Sequence, residues 1–125
     1  MKVLLDTHLM LWSMQGRSAL PKAAHAWFDD ADEVFVSAAS VWEAAIKAAL
    51  GKLHTDIGTL ERRLDAAGFI ALPITWAHAA RVRTLPMHHR DPFDRLLVAQ
   101  ALTEPLRLLT CDARLAAYTD LVTVV

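Results

Sequence analysis

The chain has 125 residues, 54% hydrophobic and 22% charged, which is the right size for one domain with a full core and too short for two. A net charge of −1 excludes a global positive field that would draw it onto nucleic acid, so any such contact has to come from local basic groups. The single cysteine, Cys111, excludes an internal disulfide and a cysteine-rich zinc site and fits a reducing compartment, while four glycines and five prolines are too few for a low-complexity chain.

Val3-Leu4-Leu5 is an apolar run ending at Asp6, which suits a strand buried on both faces. It breaks too early for a signal peptide or membrane span, so a cytoplasmic protein with no membrane partner is the expectation. A helix over 7–14 stops near Gly16. A second, over 20–30, has Pro21 near its first turn and Ala23, Ala24, Trp27 and Phe28 on its apolar face. Residues 33–36 read as a strand.

The strongest helix signal spans 37–50, opened by a Ser37 cap and closed by Gly51. Trp42, Ile46 and Leu50 fall on one face, with Ser40, Glu43 and Lys47 beside it, and core packing is the expectation for Trp27 and Trp42. A helix over 57–67, a strand over 69–72 and a helix over 75–84 follow. His88-His89-Arg90 is a polar loop, and Asp91-Pro92 opens a helix to 103, acid at the cap and proline at the first helical position. A strand over 107–110, a short helix over 112–118 and a strand over 121–125 complete the chain. The alternation predicts an α/β fold: one domain over 1–125, with a central, mostly parallel five-stranded sheet flanked by helices on both faces.

Four carboxylates, Asp6, Glu43, Asp94 and Asp112, sit where apolar strands end or helices begin. Each has an ordinary explanation. Asp6 and Asp112 can cap helices, Ser40-Val-Trp-Glu43 matches a capping box, and Asp94 lies in a first turn, where the helix dipole favours an acid. With the helix starting at Ser37, however, Glu43 lies in its second turn and needs another partner.

A parallel sheet also places its C-terminal strand ends along one edge, so such caps become neighbours. Carboxylates brought close raise one another's pKa unless a cation neutralises them, and Mg²⁺ or Mn²⁺ is the hard, oxygen-seeking ion for that role. A metal held this way suits phosphodiester hydrolysis, and phosphomonoesters almost as well.

These residues lie in a recognisable order. Leu4-Leu5-Asp6-Thr7-His8 with Leu11-Trp12 comes first, then Ser37-Ala-Ala-Ser40-Val-Trp42-Glu43 with Ile46-Lys47 and Gly51-Lys52-Leu53. His89-Arg-Asp91-Pro92-Phe93-Asp94-Arg95 with Ala99-Gln100-Ala101, and Leu109-Thr110-Cys-Asp112, follow. Over nearly its whole length the chain resembles PIN-domain ribonucleases, in particular the VapC-type toxins of toxin-antitoxin systems.

The resemblance implies a Mg²⁺- or Mn²⁺-dependent endoribonuclease in which Asp6, Glu43, Asp94 and Asp112 are the catalytic, metal-binding acids. Asp91 is a fifth acid whose cap role already explains it. Thr7, Ser40 and Thr110 match the family's small hydroxyl positions, able to hold a water or phosphate oxygen or to bond locally to backbone. It further implies an RNA substrate, a homodimer, and a cognate antitoxin that inserts a basic side chain among the acids.

Lys47, His89 and Arg95 are the candidate RNA contacts, although Lys47 is also the i+4 partner of Glu43 and Arg95 can pair with a carboxylate. The remaining histidines read as structural or surface, and Trp12 and Trp76 stay open between packing and base stacking. Among rival classes, a haloacid-dehalogenase-type phosphatase wants a second acid that Asp6-Thr7-His8 does not offer, and a receiver domain wants an acceptor Asp where Leu72-Pro73 stands. A non-catalytic interaction module leaves an intact set of mutually repelling acids without a reason.

Overall fold

The computed structural model describes residues 1–125. Five strands, β1 (Lys2–Leu5), β2 (Glu33–Ser37), β3 (Ile70–Leu72), β4 (Arg107–Thr110) and β5 (Val122–Val124), form one sheet in the order β3-β2-β1-β4-β5. Every pairing is parallel, with Leu4 opposite both Phe35 of β2 and Leu108 of β4. The chain winds outward from β1 to one side and then crosses to the other, so the winding reverses between β1 and β4. In open α/β sheets, that reversal is where the crevice forms.

The helices are α1 (Thr7–Met14), α2 (Lys22–Asp30), α3 (Ala38–Ala49), α4 (Ile57–Ala66), α5 (Trp76–Arg81) and α6 (Pro92–Thr103). None is long and apolar enough to cross a membrane. The short helix expected over 112–118 is a tighter 3₁₀ turn, Ala113–Ala117, capped by Asp112, and α5 likewise gives way to a 3₁₀ turn at Val82–Thr84.

β1 shows why the sheet is central. Val3, Leu4 and Leu5 are all fully buried, and alternation along the strand sends them to opposite faces. Val3 and Leu5 enter a core with Leu9 and Met10 of α1, Ala24 of α2, Ala44 of α3 and Leu60 and Leu64 of α4. Leu4 enters a second core with Leu97, Val98 and Ala101 of α6, together with Ala39, Leu108 and Leu115.

The expectation for Trp42 fails. Its side chain is 56% exposed, and Leu50 on the same stripe is 64% exposed. The face of α3 that packs inward is instead Ala39, Ser40, Glu43 and Ala44. Small residues allow this close approach, and the bulky stripe turns toward solvent, with Trp42 in edge contact with Phe93, ring centroids 5.0 Å apart. Trp27 packs partly against the first core, with the Arg107 guanidinium over its ring.

Candidate active site

Asp6 leaves the end of β1 directly into α1. Its backbone N–H bonds the Leu109 carbonyl at 3.0 Å, which ties it to β4. Oδ1 accepts the Leu9 N–H at 2.8 Å as an N-cap, and Oδ2 accepts the Thr110 hydroxyl at 2.7 Å. The carboxyl is 4% exposed, and burial raises its pKa against the opposing pull of those donors.

Glu43 comes from the second turn of α3 and finds one partner on α1 and one a turn further along its own helix. Oε1 lies 2.6 Å from Thr7 Oγ1 and Oε2 accepts Lys47 Nζ at 2.7 Å. Thr7 Oγ1 also lies 3.1 Å from Ser40 Oγ. A hydroxyl has one proton to give; Thr7 gives it to the carboxylate and Ser40 donates to Thr7. The three hydroxyl residues therefore orient carboxylates: Thr110 bonds Asp6, Thr7 bonds Glu43, and Ser40 backs Thr7. Lys47, still 38% exposed, is the i+4 partner of Glu43.

Asp91 and Asp94 arrive together at the start of α6. Asp91 Oδ1 accepts the N–H groups of Phe93 at 2.8 Å and Asp94 at 3.2 Å. The Asp94 carboxyl is pushed up to about 7, first by burial and then by the charges of Asp91, Asp6 and Glu43. Asp91, a cap by its hydrogen bonds, is thus also one of the charges that load the site.

Asp112, two residues beyond β4, is held the opposite way. Arg114 grips it from both sides, Nε to Oδ1 at 3.0 Å and Nη2 to Oδ2 at 2.8 Å, while His89 Nε2 reaches Oδ2 at 2.8 Å. The guanidinium holds this carboxyl well below the usual range.

Asp6, Asp91, Asp94 and Asp112 line one open cleft of about 460 Å³ with His8, Trp12, His89 and Arg114. Glu43 is not on its wall, but its charge reaches Asp94. Four acids delivered by β1, α6 and the end of β4, one of them forced toward neutrality, form an oxygen-rich donor set that fits a hard divalent cation. His89, Asp94 and Asp112 alone offer ligand-type atoms within 4.8 Å of one another.

A PIN-domain family model matches residues 3–121. The chain belongs to the PIN-domain family. It is 34% identical over 118 residues to Ribonuclease VapC22 of Mycobacterium tuberculosis, a match covering 93% of this chain and 91% of that protein, which places it with the VapC-type members. Among solved structures, VapBC2 from Rickettsia felis bound to a DNA fragment from their promoter superposes with a TM-score of 0.70 at 11% identity, covering 100% of this chain and 98% of that one. A toxin-antitoxin complex from Klebsiella pneumoniae gives 0.68 at 18% identity, covering 98% and 96%. At such identities the likeness is one of fold.

One sequence expectation changes within this PIN domain, and one cleft residue had gone unnoticed. Arg95, a candidate RNA contact, is committed to the fold instead: it is 8% exposed, with Nη1 donating to the Pro86 carbonyl at 2.9 Å and Tyr118 Oη at 3.0 Å, and Nη2 to the Val82 and Leu85 carbonyls at 3.3 Å. It ties the turn before α6 to the helix. Arg114, by contrast, carries no motif, and its place two residues after Asp112 was the only available hint. Trp12 lines the cleft beside His8, whereas Trp76 is 94% exposed.

Proposed function

We propose that this PIN domain is a metal-dependent endoribonuclease that hydrolyses RNA phosphodiester bonds, and that it is the toxin of a toxin-antitoxin pair. The observation that carries the reading is the convergence of Asp6, Asp91, Asp94 and Asp112 on one cleft, where burial and neighbouring carboxylates push Asp94 up to about 7, as suits a site that takes a cation. The 34% identity to a ribonuclease over nearly the full chain supports RNA as the substrate class. Asp6, Asp94 and Asp112 would hold Mg²⁺ or Mn²⁺, with Glu43 completing the negative field.

When bound, the metal supplies an activated water and neutralises charge that builds on the phosphate. This chain's own residues do the rest. Thr110, Thr7 and Ser40 hold the carboxylates in place. Arg114, 67% exposed on the cleft wall with its guanidinium on Asp112, is the cation placed to meet the scissile phosphate. Trp12 offers a face for a base in the cleft.

A cognate antitoxin, in a complex like those of the structural neighbours, would cover the cleft with a basic side chain, in a cytoplasmic homodimer. RNA cleavage with and without Mg²⁺ or Mn²⁺, comparing wild type with Asp6→Asn and Asp94→Asn, tests the reading. Metal-dependent cleavage lost in both variants supports it. Equal cleavage by all three proteins overturns the site assignment.

A further inference from the structure

We infer that His89 is a positioning residue of the acidic cleft, a fixed N–H donor that spans Asp112 and Asp94, and that it neither ligates the metal nor contacts RNA. The inference rests on the proposed metal site. Three side chains offering atoms within 4.8 Å, His89, Asp94 and Asp112, have the spacing of a three-ligand site, and histidine is a common ligand. The hydrogen bonds of the ring decide against that use.

His89 Nδ1 accepts the backbone N–H of Asp91 at 3.0 Å. A proton on Nδ1 would face that donor, so Nδ1 carries none and the ring proton sits on Nε2. Nε2 lies 2.8 Å from Asp112 Oδ2 and 3.3 Å from Asp94 Oδ2. An Nε2 that carries a proton has no lone pair for a metal. Ligation would require moving the proton to Nδ1, which breaks the Asp91 bond and sets two donors face to face.

The residue is fixed from its other side as well. Its backbone N–H donates to Tyr118 Oη at 3.0 Å, and the same hydroxyl accepts Arg95 Nη1. With 8% exposure and both ring nitrogens engaged, the ring has no free nitrogen to offer a base or phosphate. What remains is to hold two carboxylate oxygens that would otherwise repel, one on α6 and one beyond β4, around a common point. Histidines and other donors bonded to ligands in this way commonly set metal affinity by roughly 10- to 100-fold.

Two variants separate the ring's functions. His89→Asn keeps an acceptor at the Nδ1 position and loses the arm that reaches the acids, whereas His89→Gln places an amide N–H near the Nε2 position. Mn²⁺ binding to the RNA-free protein by calorimetry, and the ring tautomer of wild type by ¹⁵N NMR, are the readouts. The expected result is an Nε2-protonated tautomer, a loss of Mn²⁺ affinity of about tenfold or more in His89→Asn, substantial recovery in His89→Gln, and an unchanged KM for RNA.

An Nδ1-protonated ring, a nitrogen hyperfine coupling to bound Mn²⁺, or a raised KM with intact Mn²⁺ binding would overturn it. Wild type that binds Mn²⁺ while His89→Asn binds it equally well defeats this inference alone. Wild type that binds no Mn²⁺ defeats the metal reading, and this inference with it.

Discussion

Thr110 Oγ1 donates to Asp6 Oδ2 at 2.7 Å and accepts the backbone N–H of Asp112 at 3.0 Å, so one buried hydroxyl joins two acids 106 residues apart in the chain. Thr110→Val keeps the shape and deletes both bonds. The expected cost is about 1–3 kcal/mol of stability, from donors and acceptors left unpaired in a buried place. Mn²⁺ affinity should fall by roughly tenfold, because Asp6 loses the bond that orients it. Urea denaturation and calorimetry measure the two effects, and loss of neither would show that the hydroxyl is a bystander.

Asp94 gives a pH dependence whose sign follows from its environment. Its folded pKa of about 7 lies above the value of an exposed aspartate. Between about pH 4 and 7 the folded state therefore holds a proton that the unfolded chain releases, and stability falls as pH rises through that window. Asp94→Asn removes the penalty. The metal-free variant should be more stable than wild type at pH 8 by on the order of 2 kcal/mol, and nearly equal at pH 4. Saturating Mn²⁺ should raise the wild-type Tm at pH 8 far more than that of the variant. Thermal melts at both pH values with and without Mn²⁺ test this, and a variant less stable than wild type at pH 8 contradicts it.

Arg95 should behave as structure. Arg95→Leu strands the Val82, Leu85 and Pro86 carbonyls and the Tyr118 hydroxyl in a largely buried place, for an expected loss of about 3–5 kcal/mol. Arg95→Lys recovers only part, because one ammonium cannot reproduce the fork. An RNA contact would give the reverse in chemical denaturation and RNA binding: stability intact, affinity reduced.

Trp42 should be nearly dispensable for folding. Trp42→Ala removes an exposed ring with one edge contact to Phe93, worth about 0.5–1.5 kcal/mol. Leu97→Ala, in the second core, should cost about 2–5 kcal/mol. Denaturation midpoints of the two variants compare them directly, and equal losses would mean that the Trp42 face is buried after all.

The local pattern was legible wherever the cause was local. Asp91-Pro92 starts a helix because the acid accepts its first N–H groups and proline needs no donor there, and the structure caps α6 in that way. The Val3-Leu4-Leu5 run declares a strand buried on both faces, and five strands alternating with helices imply a parallel sheet. The acids stood out for the same reason, since strand ends and helix starts can be found without a fold.

α3 marks where that reasoning stops. Its periodicity displays two stripes, and nothing within twelve residues says that the small one, Ala39, Ser40, Glu43 and Ala44, packs inward while Trp42 faces solvent. Arg95 and Arg114 are both arginines near acids, yet one is consumed by carbonyls of a preceding turn and the other grips Asp112.

Sequence by itself determined the order of elements, the acids at their ends and the family pattern they compose, because capping and periodicity are settled between near neighbours. Only the tertiary structure decided which face of α3 is buried, that the hydroxyls orient carboxylates, that Arg95 is spent and that His89 spans two acids. Those outcomes hang on burial and on bonds between residues distant in the chain, and such partners exist only once the sheet has brought its strand ends together.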